Sequence, residues 1–262
     1  MVNGSDKFIK QLINETAMLF PEIPENSTPP EIGAVIHQNA TRMTGIEDPY
    51  RQTKIENIKE ALKLYPEMKK IVSDAEDPLL AAVKIAIAGN IIDFGTGHDF
   101  DILEDIKRIS VQDLSVNHFK EFKKEMDSAE TVLYIGDNAG ETVFDKVLIE
   151  QINAKVIYSV RSRPILNDAT EKEAVESGLG RVSEIIDSGS TAPGTLLSMC
   201  TDEFLDIFKK ADVVISKGQG NYESLSGVQR PVYFMLMAKC EIVARDLNVN
   251  VGDTILKRIH LD

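Results

Sequence analysis

From residue 131 onward, short apolar runs alternate with polar, glycine-bearing clusters. Thr131-Val-Leu-Tyr-Ile135 runs into Gly136-Asp137-Asn138-Ala139-Gly140-Glu141, and helical spacing resumes at Val143, Phe144, Val147 and Leu148. Lys155 to Val160 runs into Arg161 to Asp168, Val182 to Ile186 into Asp187 to Thr191, and Asp212 to Ser216 into Lys217 to Asn221. Val232 to Met237 adds a further apolar run. Such runs predict strands buried on both faces, and the helix-length stretches between them predict crossovers. Parallel strands with right-handed crossovers place every carboxyl end on one edge, where open α/β sheets bind ligands.

Before about residue 128 the spacing is helical. Asp6 is expected to cap a helix through about residue 19, and Pro21 to Pro30 forms a connector. Pro30 opens a helix with Ile32, Val35, Ile36 and Met43 on its apolar side. Asp48-Pro49 and Asp77-Pro78 each read as an N-cap followed by proline at the first helical position. The helix after Pro49 carries Ile55, Ile58, Leu62 and Tyr65; the one after Pro78 runs from Leu79 to Phe94. Leu103 to Met126 is expected to be two helices, or one broken near Ser110. The chain thus reads as α/β. An all-helical cap subdomain over residues 1–127 precedes a Rossmann-like three-layer α/β/α domain with a mainly parallel sheet over 128–262.

Composition narrows the partners. A formal charge of -13 argues against nucleic acid, which requires a basic face. The longest apolar stretch, Leu79 to Ile92, is interrupted by Lys84 and Asn90, so no membrane span and no signal peptide is expected. Cys200 and Cys240 lack metal-ligand spacing and read as reduced thiols of a cytoplasmic protein.

Several carboxylates, amides, Arg161, Arg163 and Lys217 converge on the predicted sheet edge. Asp137 and Asn138 put a carboxylate and an amide side by side, and those oxygens suit a hard divalent cation. Helix capping alone would explain Asp137, but not Asn138 together with Asn167-Asp168. Glu141 lies in the first helical turn, where a carboxylate also suits the helix dipole. Lys217 is expected to reach phosphate as a point charge while Gly218 and Gly220 present backbone N–H groups beside Asn221. Arg161 is expected to grip two phosphoryl oxygens. Asn90 and Asp93 share one helix face, either as a buried structural pair or as the cap's contribution to the site. His37, His98, His118 and His260 show no ligand spacing. There is no Gly-x-Ser-x-Gly elbow and no dinucleotide fingerprint.

Taken together, Asp137-Asn138-Ala139-Gly140-Glu141, Pro164-Ile-Leu-Asn167-Asp168-Ala-Thr170 and Ser216-Lys-Gly-Gln-Gly-Asn221-Tyr-Glu223 resemble the metal-dependent damage-control phosphatases. Asp48-Pro49-Tyr50 and Gly89-Asn90-Ile-Ile-Asp93 extend the resemblance into the helical half. It implies a phosphatase of small phosphorylated metabolites, such as sugar phosphates, with Asp137, Asn138 and Asp168 as metal ligands. Stand-alone members often carry an N-terminal Cys-x-x-Cys pair that this chain lacks; no thiol-dependent property is carried over.

The chemistry is consistent with that resemblance. A divalent cation neutralises phosphoryl oxygens and lowers the pKa of a coordinated water. Oxygen ligands favour Mn or Mg, with Co or Ni also admissible. Position 139 is alanine, so an Asp-x-Asp phosphoaspartyl route is set aside in favour of attack by metal-bound water. Asp168, Glu141 and Asp93 are the candidate bases. Two alternatives stand beside this reading: an S-adenosylmethionine-dependent carboxyl methyltransferase and a non-catalytic binder of phosphorylated metabolites. The methyltransferase would want a glycine-rich loop after the first strand and an acidic residue ending the second; here the acid ends the first.

Overall fold

The computed structural model describes residues 5–89 and 102–260. Its first half contains α1 (Asp6–Ala17), α2 (Pro29–Thr44), α3 (Arg51–Asp74), α4 (Pro78–Gly89), α5 (Ile102–Val111), β1 (Val116–Asn117) and α6 (Phe119–Met126). Next come β2 (Thr131–Ile135), α7 (Thr142–Ile149), β3 (Lys155–Val160), α8 (Glu171–Glu176) and β4 (Glu184–Asp187). The chain continues through α9 (Asp202–Lys210), β5 (Val213–Lys217), α10 (Gly218–Leu225), β6 (Tyr233–Met237), α11 (Glu241–Leu247) and β7 (Thr254–Arg258).

Seven strands form one sheet in the order β1-β7-β6-β5-β2-β3-β4. Only the β6–β7 pair is antiparallel. The carboxyl ends of β2, β3, β5 and β6 therefore share an edge. Strand alternation serves both faces. Val132 and Tyr134 join a cluster with α3, α4 and α7, whereas Leu133 and Ile135 join one with α9, α10 and α11. The result is the expected three-layer α/β fold.

Three expectations need correction. The first half is not wholly helical, because β1 pairs with β7 through Val116↔Ile255 and Asn117↔Leu256. A two-residue strand is too short to show a period. β7 was also not anticipated, since its buried apolar residues are few and charged residues follow them. Finally, the buried face of α3 is Lys54, Asn57, Ile58, Ala61, Met68 and Val72, while Ile55 and Leu62 are exposed. Reading only apolar positions rotated this face, because two of its buried residues are polar.

The helix start at Asp77-Pro78 agrees with the sequence, whereas α3 begins at Arg51 with Tyr50 as its N-cap, two residues after the expected Asp48-Pro49 start. Asp48 Oδ1 accepts from Tyr50 N (3.1 Å) ahead of α3, and Asp77 Oδ1 accepts from Leu80 N (3.2 Å) at α4. α1 is capped by Ser5, one residue before the predicted Asp6. Packing crosses residue 127/128: Ile58, Ala61, Ile85 and Phe122 share a cluster with Tyr134, Phe144 and Val147.

Candidate active site

The loops leaving β2 and β3 are laced together at the sheet edge. Ala139 N donates to Asn167 O and Ala169 N donates to Asp137 O, both at 2.8 Å. Asn138 and Asp168 oppose each other in an isolated antiparallel bridge. Gly136 is required by contact, since a Cβ there would lie 2.5 Å from the Tyr158 hydroxyl. Backbone pairing thus brings Asp137, Asn138 and Asp168 together across one β2–α7–β3 crossover.

Each side chain is then oriented by a second one. Asn138 Nδ2 donates to Glu141 Oε1 at 2.7 Å, which turns the amide oxygen away from that carboxylate. Arg161 is buried; its Nε donates to Asp168 Oδ2 (2.8 Å) and its Nη2 lies 3.7 Å from Asp137 Oδ1. The same guanidinium donates to Thr195 Oγ1 (2.9 Å) and Asn221 Oδ1 (3.0 Å). Asn221 Nδ2 donates in turn to the carbonyls of Gly136 (3.0 Å) and Lys217 (2.7 Å), tying β5 to β2. Gly218 has φ +77°, and a Cβ there would come within 1.9 Å of Asp137 Oδ2. Only glycine lets α10 begin against that carboxylate.

Lys217 is placed differently from the sequence expectation. Its ammonium is fully buried, 2.9 Å from Glu141 Oε2 and 2.6 Å from Asp145 Oδ1. Asp145 also accepts from the hydroxyls of Tyr134 and Tyr158, both at 2.7 Å. The strand-end position puts this lysine beneath the site, where it holds Glu141. Arg161 likewise braces Asp168 and Asn221 in the interior. Arg163 is exposed. Asn90 and Asp93 lie outside the described residues.

A crevice of about 220 Å³ opens over these groups, lined by Asp137, Asn138, Glu141, Asp168 and Gly220. Asn57 and Lys239 line it as well, and sequence reasoning missed both. Lys239 follows the end of β6 on the shared edge, a position already diagnostic for the other strands. Asn57 lies one helical turn beyond Lys54 on a face that was phased by apolar residues alone.

A family model for the damage-control phosphatase ARMT1-like domain matches residues 2–255. The chain belongs to this family. A damage-control phosphatase from Pyrococcus horikoshii is 36% identical over 256 residues, covering 95% of this chain and 88% of its own. One from Archaeoglobus fulgidus is 34% identical over 270 residues, covering 98% and 92%. The crystal structure of a DUF89 family protein from P. horikoshii aligns with a TM-score of 0.91 at 33% identity, covering 98% of this chain and 91% of that one. Membership and these relatives support a phosphatase role in metabolite repair.

Buried carboxylates dominate the electrostatics of this family member's crevice. Burial first, then the charges of Asp168 and Glu141, push the Asp137 carboxyl well above the usual range; Arg161 and Lys239 only partly oppose this. Burial raises Asp168 despite the adjacent Arg161, and burial raises Asp145 despite Lys217. Asp137, Glu141, Asp145 and Asp168 are all buried, and the buried cations among them are Arg161 and Lys217. Counted as ionised, the four carboxylates exceed these two cations by two charges. Among the described residues no group of three His, Cys, Asp or Glu side chains has metal-holding spacing. What the loops bring together at this edge is two carboxylates, Asp137 and Asp168, and the Asn138 amide, all oxygen-bearing groups. No described helix is long and apolar enough to cross a membrane.

Proposed function

We propose that the protein is a metal-dependent phosphatase that hydrolyses small phosphomonoesters, sugar phosphates or related damaged metabolites among them, by direct attack of water. The observation that carries this reading is the facing of Asp137-Asn138 and Asp168 across a single backbone bridge, in a buried array whose carboxylates, counted as ionised, exceed its cations by two charges. Asp137, Asn138 and Asp168 would hold a divalent ion of the Mn, Mg, Co or Ni type. Once bound, such an ion neutralises phosphoryl oxygens and acidifies a coordinated water.

The chain's own residues do the rest. Arg161 fixes the rotamer of Asp168 and keeps part of its charge balanced. Glu141, held by Asn138 and Lys217, is a crevice-lining carboxylate suited to take a proton from the attacking water. The first N–H groups of α10 lack intrahelical acceptors, and Gln219 and Gly220 line the crevice, so that helix end can receive phosphate.

The test is phosphate release from a panel of phosphomonoesters with each of the four metals. Activity is expected to require metal and to vanish on chelation. Asp137→Ala and Asp168→Ala are expected to lower kcat by orders of magnitude, whereas Asn138→Ala should be partly rescued by excess metal. Full turnover after exhaustive metal removal would overturn the reading.

A further inference from the structure

We infer that the protein holds a second ligand site, at the amino edge of the sheet, where Arg230 and Arg258 receive a small oxyanion through its carboxylate or phosphoryl oxygens. The site lies at the edge opposite the crevice and is independent of the phosphatase reading.

A cavity of about 310 Å³ opens at this edge. Ser128 and Ala129 lead from it into β2, Asp212 into β5, and Arg230 and Pro231 into β6, while Arg258 ends the antiparallel β7. It shares no lining residue with the crevice. Its volume is at the lower end of the range for small-molecule sites, about 300–1,000 Å³, which suits a small acid better than a nucleotide.

Both guanidiniums are fixed from within the protein. Arg230 Cζ lies 5.2 Å from the centre of the Phe208 ring, and its Nη2 donates to Ala211 O at 2.8 Å. Arg258 Cζ lies 5.9 Å from the centre of the Tyr233 ring, and its Nε is 3.0 Å from Glu125 Oε1. Their charges are met differently. Arg258 has the Glu125 carboxylate. Among the described residues Arg230 donates to the backbone carbonyls of Ala211 and Pro231, and its Nη1 is buried without an acceptor. Asp212 shares the cavity, but its Oδ2 already accepts from Glu130 N (3.0 Å) and Thr131 N (2.9 Å).

Burial disfavours the Arg230 charge and pulls its pKa down. A guanidinium does not relieve that burden by giving up its proton, as a buried lysine can. An oxyanion in the cavity supplies both things Arg230 lacks, a counter-charge and an acceptor for Nη1. The planar fork suits carboxylate and phosphoryl oxygens in particular. Arg230, Arg258, Glu125 and Asp212 cancel in sum, so the attraction is local to the guanidinium and favours one negative charge over two.

Calorimetric titration of acetate and of inorganic phosphate into the full-length protein, at constant ionic strength, tests the site and separates its two ligand sources. At least one of the two anions is expected to bind wild type at an Arg230-dependent site. Arg230→Gln is expected to weaken that binding about 10- to 100-fold, the range of one charge-assisted hydrogen bond. Ser128→Trp fills the cavity while keeping all its charges, and is expected to abolish the same binding. Ser128 is exposed, so this second variant decides the matter if melting curves show that Arg230→Gln does not fold. Binding of neither anion to wild type overturns the site, as does binding left unchanged by either folded variant. A wild type that hydrolyses no phosphomonoester leaves these titrations as they are.

Discussion

Removing the Lys217 ammonium would leave Glu141 and Asp145 facing each other in a fully buried pocket. Burial pulls the lysine pKa down, but Asp145 and Glu141 outweigh it and raise it beyond its ordinary value. Lys217→Met is therefore expected to destabilise the fold by about 3–5 kcal/mol, the usual cost of stripping one partner from a buried pair. Urea unfolding measures it; a change below 1 kcal/mol, with KM raised instead, would restore the phosphate-contact role expected from sequence. The site was partly legible residue by residue. Asp137, Asn138 and Asp168 could be read because adjacent oxygen donors at a strand end exceed what a turn requires. The burial of Lys217 could not, because its partner Asp145 looks like an ordinary helix carboxylate. The available clue was spacing: Glu141 and Asp145 stand four apart on one face, a natural receptor for a single cation.

At the level of elements, α3 and α8 meet through Lys54, and α8 is closed by a capping box between Thr170 and Glu173. Burial pushes the Glu173 carboxyl up, but the Thr170 hydroxyl and N–H and the Lys54 charge outweigh it, leaving its pKa lowered. An acid whose pKa is lowered by folding contributes stability that is full above its unfolded value, about 4.3. That stability is lost as pH falls through the lower folded value. Melting temperature should thus drop below about pH 4, and Lys54→Met should flatten that part of the curve. A variant curve parallel to wild type between pH 5 and 3 would remove Glu173 from the account. The helix start at Asp77-Pro78 was readable because capping chemistry is local, while Asp48 closes the turn just ahead of α3 rather than capping it. The face of α3 was not, because Lys54 and Asn57 are buried by groups distant in sequence.

For the molecule as a whole, strand order gathers four loops at one edge and concentrates buried carboxylates there. Asp137 and Asp168 are raised by folding, so the metal-free protein binds extra protons and loses stability as pH rises through their titration. A cation that requires both carboxylates ionised reverses this. At about 100 times its Kd, the ion adds about 2.7 kcal/mol if it binds only the native state. Calorimetric scans with and without Mn or Mg should show a melting shift that grows from pH 5 to pH 8; a shift absent at every pH counts against the metal. The parallel β2-β3-β4 and β5-β6 arrangement was legible from alternating runs and crossover lengths, whereas the β7–β1 edge was not, because its partners lie at distant points of the chain.

That edge has a consequence for synthesis. β7 lies between β6 and β1, so Val116 finds its partner only when Ile255 arrives. On a ribosome, Val116-Asn117 leaves the exit tunnel long before Thr254–Arg258 has been translated. Until β7 is in place, β1 has no partner strand and the β6 side of the sheet is an open edge, the kind of surface that attracts other chains. Pairings this distant in sequence also form slowly. The hazard ends when the late-made strand slots between two early ones, so a stop codon before residue 254 would leave the catalytic edge translated but the sheet open on its far side.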